Sequence, residues 1–488
     1  MELQAAFIYD RIKWIMVFSS SIFIFFFLPI VLSGYFLLRS VKVRNIWLLL
    51  ASLLFYLWGG YAFFPIILYS IALNYTGGRI LGILQAKEYE KARKAAFIMV
   101  VSLNLLSLGY WKYTKFIVQI VNDITGSRFM IPDIVLPIGI SFFTFQGMSY
   151  VIDVYRGEAG VQKNILKTGL YIALFPQLIA GPIVRYSDIE RQLNARRHSV
   201  DQFMDGLKVF AVGLAKKAIL SNSLAVTADA IFGNRPCQNL PAVAWLGVLT
   251  YSLQLYFDFS GYSDMAVGLG RIFGFRFPRN FDYPYISCSV AELWRRWHIS
   301  LSTWFRDYVY IPLGGSRRGN AYFNLLCVFI LTGLWHGAAW NYVVWGLYWG
   351  VLIVGERYLS RKYPDKAGLP KVVAWPVMVL LWMISMVIFK TVTLRECGMY
   401  LRSMFGMLQP EDVGFTLVYY LQTYDVFIII VSVIAMTPAG KWCYERLKEK
   451  LPALFFLLLE NTLTLTLLAV SFMYVVTETY NPFIYFQF

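Results

Sequence analysis

Uncharged apolar runs recur along this chain from end to end, and no polar stretch between them is long enough for a sizeable soluble domain. The first run, residues 14–38, holds 25 residues without a charge. A signal-peptide core is roughly 7–15 residues long and ends at a small-residue cleavage site. No such site follows Leu38, so the run predicts a retained transmembrane helix. Further runs fall at 46–58, 61–76, 95–111, 136–152, 242–257, 321–354, 372–389, 426–437 and 453–476. Several are shorter than the roughly 20 residues a straight span requires. Gly59-Gly60 and Pro65 interrupt others, which predicts broken or tilted helices covered by their neighbours. The expected fold is an all-α polytopic membrane protein, one domain over 1–488, with about ten to twelve hydrophobic helices and re-entrant or interfacial pieces.

Composition supports this reading. The chain is 58% hydrophobic and only 15% charged, against about 25% charged in ordinary soluble domains, and that excludes both disorder and stacked soluble domains. Its 44 Lys+Arg against 28 Asp+Glu give a net charge of +16. In a polytopic chain such an excess marks cytoplasmic loops before it marks a nucleic-acid partner, and no nucleic acid is expected. Arg39, Lys42 and Arg44 precede a pair of short apolar stretches, and Arg79, Lys87, Lys91, Arg93 and Lys94 follow it, so both basic segments are assigned to the cytoplasmic side. The same rule makes residues 170–184 unusual. This apolar stretch, broken by Pro176, Gly181 and Pro182, has Arg156, Lys163 and Lys167 before it and Arg185, Arg191, Arg196 and Arg197 after it. Either it enters the membrane and turns back, or it is a short tilted span with basic residues on both sides.

The five cysteines, Cys237, Cys288, Cys327, Cys397 and Cys443, are widely separated. Their spacing predicts neither a disulfide framework nor a structural metal site. Cys443, near Lys441, is a candidate for acylation. No nucleotide-binding loop, dinucleotide fingerprint or H-E-x-x-H metal motif is present.

Acid-base chemistry has few candidates, because the chain contains three histidines, His198, His298 and His336. His198 follows Arg196-Arg197 and reads as a solvated loop residue. His298 lies in the densest polar region, where Glu292, Arg295, Arg296, Arg306 and Asp307 alternate with Trp294, Trp297, Trp304 and Tyr308. At helical spacing Trp294, Trp297 and Leu301 share a face, with Arg295 and Arg306 away from it, as in an interfacial amphipathic helix. That cluster reads either as a membrane anchor or as a grip on an anionic acyl donor. His336 sits inside a long apolar run next to Trp335, and an ionisable group there is a functional candidate by default. A neutral imidazole at that depth can take a proton from a hydroxyl as its oxygen attacks a thioester. The alternative is a histidine hydrogen-bonded between packed helices. Gly333 and Gly337 leave room for another backbone or a substrate. Asp258, Asp264 and Glu460 are expected to pair with basic residues and fix the bundle.

The run Trp294-Arg-Arg-Trp-His298-Ile-Ser-Leu-Ser-Thr-Trp304, continuing to Gly315, and Gly333-Leu-Trp-His336-Gly resemble the membrane-bound O-acyltransferase family. The branch they are most similar to is the bacterial alginate O-acetyltransferase type. Residues 136–146, 175–186, 257–264 and 482–488 extend the resemblance over most of the chain. It implies a bundle around a central pore, with His336 and His298 as catalytic residues and Arg295, Arg296, Trp297, Arg306, Asp307 and Trp335 as substrate contacts. No cofactor or metal is implied to be bound. The implied donor is acetyl-CoA on the cytoplasmic face of a bacterial inner membrane, and the acceptor an envelope or exported polysaccharide, reached directly or through an exported SGNH-type partner. Two other functions remain open: a D-alanyl transferase fed by a carrier protein, and a transporter of lipid or polysaccharide. Related sequences often carry a further histidine where this chain has Trp349.

Overall fold

The computed structural model describes residues 16–234, 240–364, 368–408, 415–477 and 483–484. Trp14, Cys237 and most of the 482–488 motif lie outside them. Every regular element among the described residues is helical. Six helices are long and apolar enough to cross a membrane: Val41–Gly59, Tyr61–Ala86, Glu90–Thr125, Val200–Gly233, Lys371–Lys390 and Ala453–Thr477. A seventh is counted if Thr423–Ala435 and Ala439–Lys450, bent by 67°, form one span. Phe23–Leu37 and Ala321–His336 are shorter apolar helices. The apolar runs at 136–152 and 242–257 fall in helices that bury polar groups, among them Gln146, Ser149 and Asp153 in the first and Thr250, Gln254 and Asp258 in the second. The protein is a multi-pass membrane protein.

The chain divides into two compact units. The first comprises Met1–Phe210, Tyr262–Pro278 and Val475–Gln487. Its helices are α1 (Leu28–Leu37), α2 (Val41–Gly59), α3 (Phe64–Ala86), α4 (Glu90–Thr125), α5 (Ile140–Arg156), α6 (Ile165–Ala173), α7 (Phe175–Leu178) and α8 (Tyr186–Asn194), and α9 (Val200–Ala215) begins in it. A π-helical turn, Phe23–Phe27, leads into α1. Helices α3 and α4 are joined by a buried reciprocal amide pair: Asn74 Nδ2 donates to Asn104 Oδ1 at 3.1 Å, and Asn104 Nδ2 returns the bond at 3.0 Å. Helix α5 approaches the same point through Gly147, where a Cβ would collide with the Asn74 amide.

Every residue from 168 to 184 is buried. Helix α6 stops at Leu174, α7 adds one turn, and the chain then runs irregularly to Val184. The Tyr171 hydroxyl lies 3.0 Å from the carbonyl oxygens of both Gln146 and Val184, and the Phe175 N–H donates to Ser52 Oγ at 3.0 Å. The non-helical backbone here is covered by protein, the condition under which it is tolerated at membrane depth.

The second unit comprises Ala211–Gly261, Arg279–Tyr474 and Phe488. A π-helical stretch, Lys216–Ser221, precedes α10 (Asn222–Gly233), and most of α11 (Pro241–Ile272) belongs here. Then come α12 (Val290–Arg296), α13 (Ile299–Phe305), α14 (Ala321–His336), α15 (Trp340–Lys362), α16 (Lys371–Lys390), α17 (Leu394–Met404), α18 (Thr423–Ala435), α19 (Ala439–Lys450) and α20 (Ala453–Thr477). Helices α14 and α15 form a close hairpin. A Cβ on Gly333 would strike the Tyr342 carbonyl oxygen, and one on Gly346 the Phe329 carbonyl oxygen. The space left at Gly333 is therefore filled by the backbone of α15. The Asp258 carboxylate pairs with Lys217 at 2.5 Å, both side chains being buried. Glu460 accepts the Tyr444 hydroxyl at 2.7 Å.

Candidate active site

Residues 290–310 do not form the single amphipathic helix expected from their spacing. Helix α12 starts at Ser289, whose hydroxyl accepts the Glu292 N–H at 3.1 Å. Glu356 of α15 reinforces that start by accepting the N–H groups of Val290 and Ala291 at 2.6 and 3.2 Å. The helix ends at Arg296, and His298 then takes φ +45° and ψ +54°. This left-handed conformation costs a non-glycine residue about 1–3 kcal/mol unless its surroundings impose it. They do: Ile299 N–H donates to the Asn280 carbonyl at 2.9 Å, and Asp282 N–H to the Arg296 carbonyl at 2.9 Å. The break turns His298 inward, with 1% of its surface exposed.

Asn280 also sets the His298 tautomer. Its Oδ1 accepts the Ser300 backbone N–H at 3.2 Å, a group that can only donate, so this atom is the oxygen. His298 Nδ1, 3.1 Å from the same oxygen, is therefore the protonated nitrogen. Nε2 carries the lone pair and is the basic atom. Phe259 stacks edge-on to the imidazole with centroids 4.6 Å apart.

His336 is the last residue of α14 and is 4% exposed. The Trp335 ring lies beside both imidazoles, 5.8 Å from His298 and 5.1 Å from His336. Trp345 and Phe389 meet the His336 ring edge-on at 5.1 and 5.3 Å. Two imidazoles thus share one indole in a wall of aromatic rings. Such surroundings exclude water and strengthen any polar contact made to a reacting group. A ring nitrogen there can take a proton from a hydroxyl or accept an acyl group.

The other sequence candidates are placed as follows. Trp297 is buried in an adjoining aromatic cluster, 4.6 Å from Trp382 and 6.1 Å from Tyr285. Arg296 is held by Glu292, Nη2 to Oε1 at 2.9 Å, and by the Asp282 carbonyl at 3.0 Å. Burial would push the Glu292 carboxyl up, but the Cys288 N–H and the Arg296 guanidinium outweigh it and hold it below the usual carboxylate range. Arg306 makes a two-point pair with Asp307, at 2.7 and 3.1 Å. Arg295 and Arg306 are exposed. So the fold gathers His298, Trp335 and His336, and sets the arginines on the outer side of α12 and the turn after α13.

Sequence reasoning missed Asn280, Glu356, Trp345 and Phe389. Their roles come from tertiary contacts with segments distant in sequence, which their local surroundings do not announce. Trp349 is fully buried, with its ring 5.3 Å from that of Trp294, and so acts as packing.

The membrane-bound O-acyltransferase family is matched over residues 156–395, which include both histidine segments. A probable alginate O-acetylase of Pseudomonas putida is 38% identical over 97% of this chain and 100% of its own length. A second from Pseudomonas aeruginosa is 43% identical over 80% of this chain and 75% of its own. A peptidoglycan O-acetyltransferase of Helicobacter pylori is 30% identical over 97% of this chain and 98% of its own. Similarity along the full length of one relative, together with an all-helical membrane architecture, makes this chain an O-acyltransferase belonging to the membrane-bound O-acyltransferase family.

Proposed function

We propose that the protein moves an acetyl group from acetyl-CoA, met on the cytoplasmic face of a bacterial inner membrane, across the bilayer for O-acetylation of an envelope or exported polysaccharide. The observation that carries the reading is the pair of buried imidazoles on Trp335, joined to the acetylating activities named for the relatives. His336 acts as general base or acyl-accepting centre. As base, its ring nitrogen takes the proton of the attacking hydroxyl while the new C–O bond forms; the C–S bond of the thioester breaks and the thiolate leaves. His298, fixed by Asn280 with Nε2 basic, is the polar partner on the donor side. Arg295 and Arg306, the exposed arginines, contact the anionic donor, Asp307 orients the Arg306 guanidinium, and Arg296 holds α12 in register for them. An exported SGNH-type protein is the proposed partner that completes delivery to the glycan.

The test measures thiol release from acetyl-CoA by the purified chain in nanodiscs and acetyl content of the exported glycan in cells. General base catalysis contributes about 10²–10⁴-fold, so His336→Ala should lower both by that order with an unchanged melting temperature. Asn280→Ala should lower turnover by a smaller factor, because it leaves the His298 ring in place but frees its tautomer. Activity of His336→Ala near the unmodified level would overturn the assignment.

A further inference from the structure

Four arginines, Arg191, Arg196, Arg197 and Arg276, line a cleft of about 410 Å³ in the first unit. None of the residues that form it belongs to the histidine site. Its single carboxylate, Asp188, is already taken: Arg185 binds it through Nε at 3.2 Å and Nη2 at 3.1 Å. Among the described residues none of the four arginines forms an ion pair.

Arg196 makes the imbalance acute. It is 8% exposed, yet its partners are all neutral. Nη1 donates to the Gln192 carbonyl at 3.0 Å, Nη2 to the Tyr35 hydroxyl at 3.3 Å, and the guanidinium carbon lies 4.2 Å over the Phe275 ring. Its Nε is buried with no hydrogen-bond partner. A buried cation normally sits against a counter-charge, since desolvation is otherwise uncompensated. Arg191, Arg197 and Arg276 are exposed around it. Arg276 is held at the rim by its own backbone, whose N–H donates to Gln192 Oε1 at 2.7 Å, while Gln192 Nε2 is fixed on the Asp188 carbonyl at 2.7 Å. The cleft is thus built and cationic, with a volume in the range of small-ligand pockets.

We propose that this cleft binds an organic phosphate. Guanidinium forks match phosphate oxygens in pairs, and several arginines around one cavity suit a doubly charged group better than a single carboxylate. Two sources carry that chemistry: a soluble phosphate ester, and the headgroup of an anionic phospholipid.

The experiment uses the full chain purified in detergent and two probes. Adenosine 3′,5′-bisphosphate is titrated by calorimetry at low and high salt, and phosphatidylglycerol retention is read by native mass spectrometry against phosphatidylcholine. The test variant is Arg191→Gln/Arg197→Gln/Arg276→Gln, all exposed positions. The control removes three exposed cations elsewhere, Arg317→Gln/Arg318→Gln/Lys441→Gln. Binding of one probe at least tenfold weaker in the test variant, normal in the control and weakened by salt, supports the site and names its source. Arg276→Gln alone should give a partial loss and serves if the triple variant is unstable. Binding of both probes unchanged in the test variants, or no binding of either by the unmodified chain, overturns the proposal.

Discussion

His198 and His298 hold opposite tautomers, each set by a neighbour that can act in only one way. Arg44 Nη1 can only donate, and it lies 3.1 Å from His198 Nδ1, so Nδ1 accepts and Nε2–H points to the Tyr35 hydroxyl at 2.8 Å. That hydroxyl in turn donates its O–H to the Phe273 carbonyl at 2.7 Å. His198 is therefore not the solvated loop residue its basic flanks suggest, but half-buried and built into the chain's fold. Burial lowers its pKa first, and the charges of Arg44 and Arg196 lower it further, below the ordinary 6.5. With the folded value depressed, the unfolded chain binds the proton more readily. The stabilising contribution is complete above about pH 6.5 and is lost as pH falls toward the folded value. Thermal unfolding between pH 5 and 8 should show the midpoint of the unmodified protein dropping on the acid side more steeply than that of His198→Gln. Parallel curves would remove His198 from this role. The histidines themselves were legible in the sequence because they are few. Their partners were not: Asn280 is 18 residues from His298, and Arg44 is 154 residues from His198.

At the scale of elements, periodicity found the helices and missed their breaks. The spacing of Trp297, Leu301, Arg295 and Arg306 gave the correct buried and exposed sides, but the helix is cut at His298 by hydrogen bonds from the Asn280 loop. No local propensity encodes that cut, since it is imposed by tertiary contacts. Charge inside apolar helices was more readable. Asp258 in α11 was expected to pair with a basic residue, and it does so with Lys217 in the π-helical stretch before α10, where Ser221 Oγ adds a bond at 3.3 Å. Both charges are buried, so removing one strands the other at a cost of about 3–5 kcal/mol, whereas replacing both by apolar groups of similar size is often neutral. Lys217→Met or Asp258→Leu alone should sharply lower the melting temperature of the detergent-purified protein. The double variant should recover most of the loss, and a double variant no better than the singles would show that the pair contributes in some other way.

For the whole molecule, the net charge of +16 bears on two separable things: the loops that the positive-inside rule assigns to the cytoplasm, and the arginine-lined cleft formed by residues 187–202 and 274–276. Sequence could read the first from the placement of Lys and Arg, yet it left residues 170–184 open between a re-entrant segment and a tilted span. Their complete burial and irregular path after Leu178 favour re-entry, because a lipid-facing span has to satisfy its backbone within one continuous helix. Sidedness decides between the two. With Arg79, Lys87 and Lys91 cytoplasmic, the 36-residue helix α4 carries the chain outward to Ser127, and α5 returns it to Arg156. In a background without the native cysteines, Ser127→Cys should react with an impermeant maleimide from outside intact cells. Lys163→Cys and Arg197→Cys should both react only after the inner face is opened. Labelling of Lys163→Cys and Arg197→Cys from opposite faces would make 165–184 a crossing, and every later helix would then reverse its direction through the membrane.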